Sequence, residues 1–385
     1  MKNPTKKGRR YGFLDGLRGL AASYIVLNHA TLNIVLQDKA GAMSAGVRWV
    51  AGWFANGLLA VQIFIVLSGF CIMLGVMSDN GKLRGGLGGF AIRRSARILP
   101  AYYGALLFTL SLLALVPGMT ALDASDRATV PGLIAHVLMV HNFRPGWITQ
   151  IDPPMWSLAI EWQIYFVFAL VLLPIWQRWG TMASLLAGVA IGYFIHGVTK
   201  GFADYSQPFY VGFFAMGMAG AAISVGESEF AKRARRLPWT SIGVGMLMAC
   251  LLVFRFDHSA HAWIYFSHFL SLSVAALLIA QMAANKDGFN LRRLLELKPI
   301  HAVGVFSYSL YLTHYPVLAA IYAFVHRWAL SPDYEVVIML AAGVPASLFV
   351  ASVFYKFLEK PFLSGFGVLK PRSREEQMVP LPVGE

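Results

Sequence analysis

An arginine and a histidine interrupt the first apolar stretch of this chain, and a plain membrane anchor has no use for either. The stretch opens Leu14-Asp15-Gly16-Leu17-Arg18-Gly19-Leu20 and continues through apolar residues to Asn28 and His29. Arg18 and His29 are eleven residues apart. At about 100° per residue, eleven steps close almost three whole turns, so both side chains lie on one helix face, about 16 Å apart along the axis. An arginine at the cytoplasmic edge would therefore place the imidazole near mid-bilayer. Ionisable groups at such depth are costly and usually face a functional interior. A guanidinium offers paired hydrogen bonds to phosphate, and a neutral imidazole offers a general base.

Four further clusters carry polar chemistry. Arg93, Arg94 and Arg97 precede Pro100. Arg93 and Arg97 are spaced for one helix face, and such a set suits a phosphate-bearing ligand as well as it suits an ordinary cytoplasmic flank. Glu161 follows Trp156-Ser157-Leu158-Ala159-Ile160, just inside an apolar run near its outer end. That carboxylate could bind a sugar hydroxyl, pair with Arg18 or His29, or hold another helix in place. Ser307, Tyr311 and His314 recur at helical spacing, with Pro316 beside them to loosen the backbone. Interhelical hydrogen bonding is the competing use of that stripe. Asp257, His258, His261 and His268 suggest a metal on paper, but no supporting cysteine or carboxylate set accompanies them, so no metal site is expected. His136 and His141 are treated with the same caution.

The elements that must position these residues are membrane helices. Of 385 residues, 57% are hydrophobic and only 13% charged, with a mean hydropathy of +0.59. Soluble domains carry about 25% charged residues. About ten apolar runs are long enough to span, near 16–37, 57–77, 100–117, 156–177, 181–199, 207–226, 239–255, 262–282, 302–325 and 334–355. The expected class is all-α and polytopic, with both termini cytoplasmic. That orientation puts 24 of the 32 lysines and arginines on the inner side, Arg178 and Lys298 among them, and seven, such as Lys39, Arg48 and Arg327, outside. Topology thus accounts for most of the net charge of +13 and removes the need for a nucleic acid partner. Cys71 and Cys250 both fall in apolar runs and read as packing residues, not as a disulfide or zinc framework.

The longest outer loop is expected over about 118–155, and residues 366–385 read as a short polar cytoplasmic tail. A cleaved signal peptide fits poorly, because the first apolar run is long and broken by Arg18, Asn28 and His29. Neither a Gly-x-Ser-x-Gly elbow nor a Walker loop is present, which argues against a serine hydrolase and an ATP-driven pump. No histidine has an aspartate five positions later, so the soluble-facing glycerolipid acyltransferase pattern is missing too.

Taken in order along the chain, these segments resemble the acyltransferase 3 family of bacterial integral-membrane O-acyltransferases. The opening Leu-Asp-Gly-Leu-Arg-Gly and the Arg18/His29 spacing match its first span. A Ser-Gly-Phe segment resembles Phe64 to Phe70, an Arg-x-x-Pro-x-Tyr segment Arg97 to Tyr102, and a Trp-Ser-Leu-x-x-Glu segment Trp156 to Glu161. Ser307 to His314 and the final Glu359-Lys360-Pro361 complete the set. Trp162 departs from the pattern, since many members carry a second acidic residue there. The resemblance covers the first span to the last, residues 1–365 forming one membrane acyltransferase domain, without the esterase-like extracytoplasmic domain of larger relatives.

What the resemblance implies is transfer of an acyl group, often acetyl, from cytoplasmic acyl-coenzyme A (acetyl-coenzyme A as the expected donor) to a hydroxyl of a glycan or glycosylated acceptor. The setting would be the bacterial cytoplasmic (inner) membrane, with no permanently bound cofactor. Arg18, Arg93, Arg94 and Arg97 would bind the donor phosphates. His29 would be the general base, or would carry a transient acyl group, with Arg18 and Glu161 in the catalytic set. Glu161, Ser307, Tyr311 and His314 would line the acceptor side. A carrier or flippase using Arg18, His29 and Glu161 as a polar path is the alternative, and a scaffold subunit a third.

Overall fold

Segments without water inside a bilayer must satisfy their own backbone, and helices do so within one segment. The computed structural model of the protein describes residues 11–38, 40–119, 128–256, 260–283 and 291–365, and the regular elements among them are all helices, without a strand. The side chains of 253–262, Asp257, His258 and His261 among them, lie outside the described residues, as do Lys39, the basic N-terminal residues and the 366–385 tail.

The elements that matter for the site are α1 (Gly12–Gln37), α2 (Ala45–Gly52), α3 (Leu58–Ser78), α4 (Gly86–Leu115) and α5 (Val130–Val137). They are followed by α6 (Met155–Thr199), α7 (Tyr210–Val225), α8 (Trp239–Phe256) and α9 (Ala260–Ala283). The chain closes with α10 (Lys298–Val305), α11 (Ser307–Val325) and α12 (Pro332–Leu363). Seven helices among the described residues are long and apolar enough to cross a membrane. Helices also occupy the other apolar runs. Gly180, at φ 83° and ψ −172°, bends α6 between the two runs expected there, a conformation open to glycine but strained for other residues. The α8 helix offers only a shorter apolar stretch, Trp239–Leu252, and α11 is diluted by its serines, tyrosines, threonine and histidine.

Two expectations change. The third apolar run is 100–117, yet its helix begins at Gly86, so Arg93, Arg94 and Arg97 lie within it and Pro100 is interior. Hydropathy marks where a helix becomes apolar, not where it starts; arginine stems lie along apolar surface while their heads reach water. The expected outer loop is also no loose excursion. Residues 129–154 pack against α4, the hydroxyls of Tyr102 and Tyr103 donating to the carbonyls of His136 and Val137 at 2.9 and 2.8 Å.

The centre of the bundle is α7, buried between α3, α6 and α9. Beside it, α1 packs against α3, α10 and α11. The approach of α10 to α1 is very close. A Cβ on Gly19 would meet the Ile300 carbonyl at 2.4 Å, and one on Gly304 would meet the Asp15 carbonyl at 1.8 Å. The glycines around Arg18 therefore set the depth at which its guanidinium sits.

Candidate functional site

Between α1, α3, α4, α6 and α11 lies an open cavity of about 810 Å³ including its mouth. Three cations line it: Arg18, Arg94 and Arg97. Arg97 is exposed, whereas Arg18 and Arg94 are half-buried. Arg18 donates to Asp15 Oδ1 at 2.8 Å and to Cys71 Sγ at 3.0 Å. Arg94 stands over the rings of Phe90 and Tyr165, 5.6 Å from each centroid. Its Nε is buried with no hydrogen-bond partner among the described residues. Three guanidinium groups around one open cavity are equipped to take an anion. Arg93 turns away instead: its Nη2 donates to the Arg84 carbonyl at 2.5 Å, and it is not part of the lining.

Glu161 lines the same cavity. It accepts from the hydroxyls of Ser68 on α3 and Tyr165, the latter at 2.5 Å. Ser68 is mid-way along α3, so Glu161 sits deeper than its position near the outer end of a run suggests. Of the roles open to it, holding another helix is the one seen directly. Ser307 and Tyr311 of α11 also face the cavity. The Tyr311 hydroxyl lies 2.6 Å from Ser157 Oγ and donates to the Pro154 carbonyl at 3.1 Å.

His29 and His314 form a pair just past Tyr311. His29 Nδ1 lies 2.8 Å from His314 Nε2, and the two rings lie edge to edge and nearly coplanar, with centroids 5.1 Å apart and 13° between planes. His314 is fully buried, whereas His29 is half-buried. His314 Nδ1 is 3.0 Å from the Leu310 carbonyl, which only accepts, so that nitrogen carries the proton. In the neutral ring Nε2 is then an acceptor, and His29 Nδ1–H is its donor. The lone pair of His29 is thereby fixed on Nε2, the form a general base requires. Neither imidazole belongs to the cavity lining. Tyr311 stands between, its ring 6.0 Å from Phe64 and 5.8 Å from His314.

Some participants are not evident from sequence alone. Cys71, read as packing, touches Arg18 and lines the cavity. Tyr165 is one helical turn beyond Glu161, and that spacing is the available signal. Among the described residues no three His, Cys, Asp or Glu converge as metal ligands.

A separate polar cluster lies in 129–154. His136, His141 and Asp152 are fully buried, and the two imidazoles stack at 3.8 Å. Asp152 Oδ2 accepts from Thr109 at 3.2 Å. Burial pushes the Asp152 carboxyl up to about 8, and it pushes His141, next to His136, down to about 3. A raised carboxyl stabilises the fold at low pH, and this contribution is lost as pH rises from its ordinary 3.8 toward about 8. The depressed histidine acts oppositely, costing stability as pH falls below 6.5. Of these two groups, only the carboxyl changes its contribution between pH 6.5 and 8. Melting temperature in detergent should therefore fall across that interval in the natural protein and stay level in Asp152→Asn. Parallel curves would show that Asp152 is not buried as a neutral acid.

Similarity to known proteins agrees with this anatomy. Residues 11–356 match the family described as "Acyltransferase domain", acyltransferase 3. The O-acetyltransferase OatA of Staphylococcus aureus strain NCTC 8325 / PS 47 is 25% identical over 374 residues, covering 90% of this chain and 56% of OatA. Two further S. aureus proteins, from strains COL and MSSA476, bear O-acetyltransferase names provisionally. They are 25% identical over 392 residues, covering 93% of this chain and 58% of theirs. The chain thus spans less than three fifths of the length of these relatives. No solved structure matches significantly. An arginine-lined cavity in an all-helical, multi-pass membrane bundle and a family match over nearly the whole chain lead to one assignment: the chain belongs to the acyltransferase 3 family.

Proposed function

We propose that the protein is a membrane O-acyltransferase. It takes an acyl group, acetyl in the simplest case, from cytoplasmic acyl-coenzyme A and places it on a hydroxyl of a glycan or glycosylated acceptor. The observation that carries this reading is the cavity lined by Arg18, Arg94 and Arg97, ending at Tyr311, with the oriented His29–His314 pair directly behind. In this reading the chain makes ten spans of a bacterial cytoplasmic membrane with both termini inside, as the distribution of lysine and arginine favours.

The three guanidinium groups hold the donor phosphates, and the pantetheine arm runs past Glu161 and Ser307 toward Tyr311. The rings of Phe64 and Tyr311, in edge-to-face contact at 6.0 Å, part to let the acyl end reach His29. His29 Nε2 takes the proton of the acceptor hydroxyl as its oxygen attacks the thioester carbonyl. The tetrahedral intermediate collapses, the carbon–sulfur bond breaks, and the departing thiolate takes the proton from His29. His314 keeps His29 in the required tautomer and shares its transient positive charge through the Nδ1–H hydrogen bond. Ester and free coenzyme A leave, and no net proton is consumed.

The test is direct. Purified protein given acetyl-coenzyme A and a glycan acceptor should release free thiol and ester in equal amounts. Acceptor movement across vesicles without thiol release would instead indicate a carrier. Arg18→Ala should raise the donor KM about tenfold to a hundredfold, the worth of one or two charge-assisted hydrogen bonds, with a smaller change in turnover. An unchanged donor KM would remove Arg18 from the phosphate site.

A further inference from the structure

The α11 helix carries Ser307, Tyr311 and His314, and its first turn poses a physical problem. The leading N–H groups of any helix lack intrahelical partners, and burying them costs free energy unless something else accepts. The residue before this helix, Phe306, has no side chain that can accept, and it forms no side-chain cap. The acceptor comes from the next long helix, 50 residues further along the chain. Glu359 of α12 takes the Ser309 backbone N–H at 3.1 Å and the Ser309 hydroxyl at 2.5 Å through the same Oε2. Glu359 is 5% exposed, and Ser309 is fully buried.

Two features make this an arranged contact. Glu359 ends a π-helical turn, Tyr355–Glu359. Such a turn inserts one residue and re-aims the side chains that follow, and it is common at functional sites. Next to it, Gly104 of α4 brings the helices close, since a Cβ there would meet Leu358 at 3.0 Å and Phe354 at 3.3 Å. A carboxylate at a helix N-terminus is also favoured by the helix dipole. The Ser309 side of the contact continues inward, where Thr313 Oγ1 donates to the Ser309 carbonyl at 2.9 Å, one residue before His314.

We propose that Glu359 is a positioning residue for acyl transfer: it caps α11 from α12 and so fixes the height and rotation of His314, and through it His29. This rests on the reading of His29 and His314 given above. Glu359 touches neither imidazole, so its effect on turnover is indirect. The carboxylate acts as a fixed acceptor, and a neutral amide oxygen at the same place does most of the same work.

The experiment compares Glu359→Ala and Glu359→Gln in the full-length protein in detergent, with two readouts. The first is amide hydrogen exchange of the peptide covering 306–314, which needs no activity. Exchange there should speed up in Glu359→Ala and stay near the natural rate in Glu359→Gln. The second is steady-state thiol release from acetyl-coenzyme A. Turnover should fall about tenfold to a hundredfold in Glu359→Ala, the cost of a catalytic group displaced by roughly an ångström, with the donor KM changed little. Glu359→Gln should recover most of that loss. Unchanged exchange in a folded Glu359→Ala, or full turnover in it, overturns the proposal. Equal loss in the two variants also overturns it, because charge and not placement would then be the property used. If the natural protein releases no thiol at all while Glu359→Ala still loosens 306–314, the cap stands and the acyltransfer reading falls.

Discussion

Replacing His29 by Ala is expected to lower acyl transfer by about 10²- to 10⁴-fold, the range in which a positioned general base contributes. The fold should tolerate the change. His29 is half-buried, its side-chain hydrogen bond among the described residues is to His314, and the alanine leaves α1 with a better helix former. Donor binding should survive, because the guanidinium groups that line the cavity are elsewhere. Single-turnover transfer with saturating acetyl-coenzyme A separates the two effects. A variant that folds, inserts and still transfers at the natural rate would end the role given to His29. The same variant divides direct transfer from a relay: an acyl group trapped on the natural protein without acceptor, but not on His29→Ala, would mean covalent catalysis at that imidazole.

The second large effect is expected at His314. Removing its ring leaves His29 Nδ1 without the acceptor that specifies its tautomer, so the proton redistributes between the two nitrogens and the base is present for only part of the time. The loss of charge sharing in the transition state adds to this. For His314→Ala we expect turnover to fall about a hundredfold, less than for the base itself, as is general for groups that orient a catalytic histidine. The pH dependence should move as well, because His29 loses a neighbour that couples to its protonation. The measurement is turnover against pH with both substrates saturating. An unaltered profile and rate would reduce the paired imidazoles to helix packing, the competing explanation for any polar stripe between membrane helices.

The two imidazoles sit outside the arginine-lined cavity, behind Tyr311. In the proposed reaction this gives Tyr311 a place in the path, because an acyl end held in the cavity would have to reach past its ring. Its hydroxyl is held by Ser157 and the Pro154 carbonyl, so the segment that precedes α6 is part of the wall between the arginine side and the histidine side. In the proposed reaction such a wall would help to keep the thioester from water.

Much of this was readable from the chain. The eleven-residue interval between Arg18 and His29 places both on one face of one helix, because helical period alone decides that. The spacing of Ser307, Tyr311 and His314 likewise gives one stripe, and the apolar runs locate the helices, because a bilayer leaves few alternatives. Spacing within one segment carries no information about partners on another. Only the tertiary structure brings His314 to His29 across 285 positions, sets Glu359 on Ser309 across 50, and turns Arg94 and Arg97 inward while Arg93 leaves. Cys71 reads as packing until Arg18 is seen against its sulfur. The depth of Glu161 was likewise hidden, because the residues before α6 fold back against α4, and hydropathy cannot register a polar segment whose groups are satisfied by other helices.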